Sequence, residues 1–536
     1  MRGVPNARVV AGVVMTLSCC LGAPTMAEAA APAAPSAGSA SGAAAFDLNG
    51  DGFADLPVGA PGETLGSHRL AGALNVLYGS AAGPTAAGNQ FWSQDSAGIA
   101  GGAESGDLFG DTVASGDFDR DGRADLAVGV PQEAVGSVGA GAVSVLYGSA
   151  SGVTAKRNQL WSQDSPGVPG AGDDPDAWGA ALTAGDFNGD GYADLAVGAP
   201  NESLKSVERA GVVTVLYGSK AGLSAKGATA WSQASAGVLG ASEPMDHFGA
   251  RLAAADLTGD GYADLAIGIA DENATAGAVQ ILRGSARGVT ATGNQIWSQS
   301  SAGVLDTAER YDSFGKALAT GDFNHDGVND LAVGAPGEVL ETCPECEYQG
   351  AVSVLLGTST GLTATGNQFW HLGSEGLPGT TKADSTFGKA LTAGDFDGDG
   401  AADLAVGAPT ARVDGVSSAG EVYLLAGSAD GLAGTGRTIS QNTPGVPGSA
   451  DFGDGTYLQL IAQRYAGGNR DDLVIAYPSE DAGHSGAGMV VVVPGSAAGL
   501  DPAHSRSWSQ DSAGIRGAAE ESDRFGQVTG DSQVFR

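Results

Sequence analysis

The sequence predicts an all-β chain, a seven-bladed β-propeller whose blades are four-stranded antiparallel sheets. Three observations carry that expectation. One acidic stretch recurs seven times, each period holds four short strand-like runs punctuated by Gly and Pro, and no segment has the length and 3.6-residue periodicity of a helix.

The recurring stretch is clearest as DFDRDGRADLAVGVP, from Asp117 to Pro131. Copies start at Asp47, Asp186, Asp256, Asp322 and Asp395, and a worn seventh, RYAGGNRDDLVIAYP, starts at Arg464. The starts lie 70, 69, 70, 66, 73 and 69 residues apart, so the periods fill nearly all of the chain after residue 45. A fixed period announces a repeat array, and this one is longer than the units of most solenoids.

Within the second period the elements follow in order. DTVASGD, after Phe109-Gly110, alternates small residues as a first strand and leads into the acidic loop. Asp125 to Gly129 forms a second strand, stopped by Val130-Pro131. The Val-rich AVSVLYGS (142–149) is the third, and NQLWSQ (158–163) the fourth, with Trp161 placed to pack. The loop DSPGVPGAGDDPDA then returns to Trp178-Gly179, the Phe-Gly position of the next unit. Four strands per repeat in a radial array make a propeller.

The loop between the first two strands carries the chemistry. Asp117, Asp119, Asp121 and Asp125 stand at its positions 1, 3, 5 and 9, and Gly122 at position 6 lets it turn sharply. Oxygen donors at odd spacing around a glycine suit a hard cation such as calcium. An EF-hand is excluded, because position 12 carries Val58, Val128 or Val197 instead of Glu and no helices flank the loop. The chain holds 26 Lys and Arg against 61 Asp and Glu, a net charge of −35, which argues against binding nucleic-acid phosphates. About a third of those acids fall in the six intact loops, a register that a merely solubilising surface does not explain.

Phe-Gly before the first strand and Gly-Ala-Pro after the second carry a resemblance. Phe-Gly stands at Phe109, Phe248, Phe314, Phe387 and Phe525, with Trp178 once in its place; Gly-Ala-Pro starts at Gly59, Gly198, Gly334 and Gly407, and Gly129-Val130-Pro131 is close. Over residues 46–536 the chain resembles the FG-GAP repeat propeller of integrin α-subunits and their secreted bacterial relatives. The resemblance implies about six calcium sites, with ligands carried over by position. These are Asp47, Asn49, Asp51 and Asp55; Asp117, Asp119, Asp121 and Asp125; and Asp186, Asn188, Asp190 and Asp194. The later sets are Asp256, Thr258, Asp260 and Asp264; Asp322, Asn324, Asp326 and Asp330; and Asp395, Asp397, Asp399 and Asp403. Position 7 (Phe53, Arg123, Tyr192, Tyr262, Val328, Ala401) would offer a backbone carbonyl. Thr258 is the weakest donor at position 3, so the fourth site is expected to be the loosest.

Residues 1–29 read as an export signal, with Arg2 and Arg8, an apolar run from Val9 to Leu21 too short to span a membrane, and Ala27-Glu28-Ala29 for cleavage. Cys19 and Cys20 would permit a lipoprotein reading, but Thr16-Leu17-Ser18 leads into them poorly. Residues 30–45, rich in Ala, Pro, Ser and Gly, read as a flexible tether, and the export signal makes the expected location extracellular, free or attached to the cell surface. Cys343-Pro344-Glu345-Cys346 fits a local disulfide better than a redox or zinc site in that setting. Gly357-Thr358-Ser359-Thr360-Gly361 matches the GxSxG of a hydrolase elbow but is the repeat's own turn, as YGSAAG at Tyr78 shows. The six His residues share no repeat position. The tryptophans Trp92, Trp161, Trp231, Trp297 and Trp508 recur at one strand position, which favours packing between blades over a glycan platform.

The expected function is a binding or cell-adhesion module rather than an enzyme. The alternative is the propeller accessory of a secreted phospholipase- or esterase-like system, although the 45 residues before the repeats hold no catalytic domain. A protein or glycan partner is expected on the face opposite the calcium loops, where the segments joining strands 2 and 3 differ most among copies. Nothing like Phe-Gly precedes Asp47, so Phe525-Gly526 is expected to dock beside the first blade and close the ring.

Overall fold

The computed structural model describes residues 46–135, 139–340, 348–378 and 384–527. The expected signal, the tether and the Cys343/Cys346 pair lie outside the described residues. Seven sheets stand in a ring, one per repeat. Blades 2 to 7 each have four antiparallel strands, in chain order from the innermost to the outermost. In blade 2 these are Val113–Gly116, Asp125–Val130, Ala142–Tyr147 and Thr154–Trp161, paired through Val113↔Val128, Leu126↔Leu146 and Val143↔Trp161.

Residue type follows depth in the blade. The second strands are buried along their whole length, as in Asp194–Ala199 and Asp264–Ile269, because both faces pack on neighbouring blades. The first strands converge near the axis and keep small side chains, such as ALTAG at Ala181–Gly185. A Cβ added at Gly116 would stand 2.6 Å from that of Ala193 in the next blade, too close for any larger residue. The fourth strand starts at Thr154, not at Asn158 as expected. Its first half, TAKR, was too polar to read as a strand, yet Lys156 and Arg157 face solvent on the outer edge. A slip in register between Val145 and Tyr147 sets that extra length, and the same slip recurs in blades 1 to 6.

The paired motifs are inter-blade contacts. A Cβ on Gly59 would lie 2.0 Å from the carbonyl oxygen of Gly110, one on Gly198 2.2 Å from that of Gly249, and one on Gly334 1.9 Å from that of Gly388. The glycine of Gly-Ala-Pro therefore presses on the glycine of the next blade's Phe-Gly, where no side chain fits. The aromatic partner of that pair is wholly buried at Phe109, Trp178, Phe248, Phe314 and Phe387.

Blade 1 has three strands of its own among the described residues, Leu56–Ala60, Ala73–Tyr78 and Thr85–Trp92. The inner edge of the first is met by the far end of the chain. Gly526 N–H donates to the Gly59 carbonyl at 3.0 Å and Gly59 N–H to that of Gln527 at 2.8 Å. The first of these is the bond that Gly110 makes to Gly129 inside blade 2, at 3.1 Å. Phe525 is buried in a cluster with Leu56 and Val58 of blade 1 and Val474 and Val490 of blade 7. The C-terminal segment thus closes the ring, as the missing Phe-Gly pair implied. Helix is confined, among the described residues, to short turns such as Glu272–Thr275.

Candidate metal loops and the opposite face

Each acidic loop is wound around its own first carboxylate. Asp117 accepts from Asp121 N–H (Oδ1, 2.9 Å) and Gly122 N–H (Oδ2, 2.9 Å), and Asp47 accepts in the same way from Asp51 and Gly52. The ninth-position aspartate is buried and accepts two backbone N–H groups. Phe118 donates to Asp125 Oδ2 at 3.0 Å, and Gly148, in the turn after the third strand, to Oδ1 at 2.9 Å. Asp55, Asp194, Asp264, Asp330 and Asp403 repeat both bonds. So does Asp472 in the worn seventh copy, with Ala466 at 3.2 Å and Gly495 at 3.0 Å. Position 9 therefore ties the acidic loop to the neighbouring turn, a structural task the sequence reading had not assigned. It survives where positions 1, 3 and 5 have become Arg464, Ala466 and Gly468.

Carboxylate oxygens of Asp117, Asp119 and Asp125 lie within 4.8 Å of one another, as do those of Asp395, Asp397 and Asp399. Two ligands of one calcium ion, each at about 2.4 Å, stand no farther apart than about twice that. Asp119 is buried, and its Oδ1 has no hydrogen-bond partner among the described residues. This donor set, all oxygen and rich in charge, fits a hard divalent cation. Asn49, Asn188 and Asn324 replace the second aspartate in three loops and accept from the Asp51, Asp190 and Asp326 N–H groups.

Crowding and burial alter the ninth-position acids. Burial pushes Asp125 and Asp194 up to about 8, and Asp55, Asp330 and Asp403 up to about 7, with neighbouring loop carboxylates adding to the rise. Asp264 rises only to about 6, because Arg283 Nη1 lies 3.1 Å from its Oδ2. A carboxyl whose pKa is higher folded than unfolded binds more protons in the folded chain between those two values. In chelator, stability should therefore fall as the pH rises from about 4 to about 8. Melting curves at pH 5 and pH 8 with chelator check this; a higher midpoint at pH 8 contradicts it.

Two arginines at these loops escaped the sequence reading. Arg157, on the fourth strand of blade 2, places Nη2 2.5 Å from Asp119 Oδ2 and stacks 4.8 Å over the Tyr147 ring. Arg283 ends the third strand of blade 4, where blades 1 to 3 have Tyr78, Tyr147 and Tyr217. That substitution within the repeat was the available signal. In blade 7 Arg464 pairs with Asp471 at 3.2 Å and brings a positive charge to the position of the first ligand. The GxSxG match is the turn between strands 3 and 4: Thr358 Oγ1 donates to the Gly361 carbonyl, as Ser149 does to Gly152. Trp161, Trp231 and Trp297 pack against inter-blade clusters, as expected.

The other end of the ring is built from the loops joining strands 2 and 3 and those joining strand 4 to the next blade. They meet through Leu108 N–H to the Leu70 carbonyl (3.1 Å), Met245 N–H to that of Glu208 (2.9 Å) and Ser313 N–H to that of Thr275 (2.9 Å). Every large hydrophobic side chain exposed among the described residues lies in these two loop families: Leu70, Leu239, Met245, Leu305, Tyr311, Val339, Tyr348 and Phe452. Among the described residues the acidic-loop end has none.

The fold and loops define a propeller with acidic loops on one end and paired glycine motifs between its blades. The FG-GAP repeat family matches residues 39–74, 109–146, 178–216, 248–282, 314–355 and 387–425. The chain is an FG-GAP repeat protein with an integrin-α-like propeller. Phosphatidylinositol-glycan-specific phospholipase D of Bos taurus is 33% identical over 162 residues, 30% of this chain and 18% of that protein. Integrin alpha-PS2 of Drosophila melanogaster is 31% identical over 267 residues, 48% of this chain and 17% of that protein. Integrin alpha-5 of Xenopus laevis is 30% identical over 241 residues, 44% and 20% of the two chains. The chain thus spans about a fifth of the length of these relatives. Among solved structures, a rhamnogalacturonan lyase of Bacillus licheniformis is similar at TM-score 0.31 and 12% identity, over 70% of this chain and 72% of its own. No chemistry is carried over from that likeness.

Proposed function

We propose that this chain is an exported, calcium-stabilised propeller that binds a protein or glycan partner through the face opposite its acidic loops. The basic and apolar leader at residues 1–29 supports export, and no helix among the described residues is long and apolar enough to cross a membrane. The observation that carries the binding face is the confinement of exposed apolar side chains to it. Exposed apolar and aromatic groups concentrated in one set of loops favour an interaction surface, and six of the eight belong to loops of blades 4 and 5 or the segments leading into them. The integrin relatives favour a protein ligand. Arrays of glycans and extracellular-matrix proteins, probed with wild type and with Met245→Ser/Tyr311→Ser/Tyr348→Ser, test the proposal. Binding of at least one class, weakened tenfold or more in the variant at unchanged melting temperature, is expected. Full binding by the variant moves the site elsewhere.

The calcium sites are the six loops named above. Asp256, Thr258, Asp260 and Asp264 form the loosest, because a hydroxyl replaces a carboxylate or amide and Arg283 already offsets Asp264. Asp256→Asn should remove only the weakest phase of a calcium titration, whereas Asp395→Asn, in a loop of four aspartates, removes a tight one. Native mass spectrometry at stepped calcium concentrations reads the order of loss.

The phospholipase D relatives favour a second reading, a propeller that serves a lipid-cleaving enzyme supplied by another chain. Esterase and phosphodiesterase substrates separate the two: turnover by the isolated chain refutes the non-catalytic assignment common to both, and recruitment of such an enzyme favours the second.

A further inference from the structure

On the face opposite the acidic loops, the structure holds a second set of buried acids, at the joints between blades. The glutamine two residues beyond the fourth strand of one blade reaches the glutamate after the second strand of the next. Gln94 meets Glu133, Gln163 meets Glu202, Gln233 meets Glu272, Gln299 meets Glu338, Gln441 meets Glu480, and across the seam Gln510 meets Glu63, all at 2.5–2.7 Å. Beside each glutamate lies the buried aspartate two residues before the Phe-Gly position: Asp107 at the blade 1–2 joint and Asp312 at the blade 4–5 joint.

At the blade 1–2 joint, carboxylate oxygens of Glu104, Asp107 and Glu133 lie within 4.8 Å of one another, and at the blade 4–5 joint those of Asp306, Glu309 and Glu338 do the same. Gln94 is only 3% exposed; its amide donates to Glu133 through Nε2, while Oε1 of the same head group has no hydrogen-bond partner among the described residues. The corresponding oxygens of Gln163, Gln233, Gln299, Gln441 and Gln510 are unpartnered too. Among the described residues no lysine or arginine forms an ion pair with Asp107 or Glu133. At the blade 1–2 joint Asp107 and Glu133 are buried and Glu104 is exposed; two buried carboxylates without a cationic side chain, next to an amide oxygen without a donor, form an incomplete set unless a cation completes it.

The blade 5–6 joint supplies an independent line. There Leu372 stands for the glutamine, Ala411 for the glutamate and Ser385 for the aspartate, and Leu372 and Ala411 share one apolar cluster. Within one chain, the glutamine, glutamate and aspartate are kept together or replaced together. A solvated acidic surface would let each drift separately; ligands of one ion lose their purpose as a set.

We propose that the polar joints are a second ring of divalent-cation sites, best formed at blades 1–2 and 4–5, in which Gln94 Oε1 and the Glu104, Asp107 and Glu133 carboxylates hold calcium at the first of them. The donors are all hard oxygens, and the ion would tie two adjacent blades together, whereas each acidic loop sits within one blade. The number of calcium ions bound per chain, read by native mass spectrometry and by equilibrium dialysis in 150 mM KCl, tests it. Gln94→Leu/Asp107→Ser/Glu133→Ala installs the side chains that the blade 5–6 joint already uses, so it is expected to fold and to bind one ion fewer than wild type. Glu133→Gln, a smaller change, should weaken the same site at least tenfold. An unchanged ion count and affinity in both variants overturns the proposal and leaves the joints as proton-sharing latches. A control, Asp117→Asn/Asp119→Asn/Asp121→Asn, removes an ion from the acidic loops independently, so failure at the joints is distinguishable from failure of the loop sites.

Discussion

Removing calcium should lower the melting temperature by roughly 15 °C. A ligand that binds only the folded chain adds about 2.7 kcal/mol per site at a hundredfold excess over its Kd. Unfolding entropy near 2.1 cal/mol/K per residue converts six such contributions, over the repeat region, into that shift. The physical source is visible in the loops: Asp117, Asp119 and Asp125 crowd within 4.8 Å, and without a cation their charges oppose folding. Excess magnesium should restore little of the loss, because its tight octahedron does not accept so many protein oxygens. Differential scanning fluorimetry in chelator, then with each metal returned, makes the measurement. A curve indifferent to chelator would remove the case for both the loop ligands and calcium.

The second large effect is expected at the seam. Truncation after Ser522 removes Asp523, whose carbonyl accepts from Gly62 N–H at 3.1 Å, together with Phe525, Gly526 and Gln527. Burial of Phe525 alone makes Phe525→Ala cost about 3–5 kcal/mol, the usual loss for a large core aromatic. The truncation should cost more, because it also uncovers the first strand of blade 1 as an unpaired edge next to apolar Leu56 and Val58. Thermal melting and limited proteolysis of the two variants, beside Phe109→Ala as an internal joint of the same kind, report the loss. Unchanged stability on truncation would mean that residues before Phe46 close the ring alone.

Much of this was legible in the sequence because a repeat states each structural rule several times. The seven starts, the Phe-Gly and Gly-Ala-Pro pairs and the DxDxDG loops located the blades, the inner strands and the acidic positions before any coordinates. The absence of Phe-Gly before Asp47 and its presence at Phe525 located the closing segment. The outer strand was read short, because Lys156 and Arg157 on an exposed edge give no alternation to detect. Arg157 and Arg283 were missed because they reach the loops from strands 38 and 19 residues further along the chain.

Local chemistry, then, was determined by the sequence itself: which residues offer oxygen to a cation, where glycine lets the chain turn, and how many times the unit recurs. Those properties depend on neighbours within a single loop or strand, so the order of residues is enough to state them. What only the tertiary structure decided are the relations between blades. It showed that Gly59 must lack a side chain because the Gly110 carbonyl stands against it, and that Gln94 meets a glutamate 39 residues away. It also placed every exposed large apolar side chain among the described residues on one end of the ring. Such contacts arise when separate sheets are packed against one another at a set angle, and no pattern inside one repeat encodes that angle.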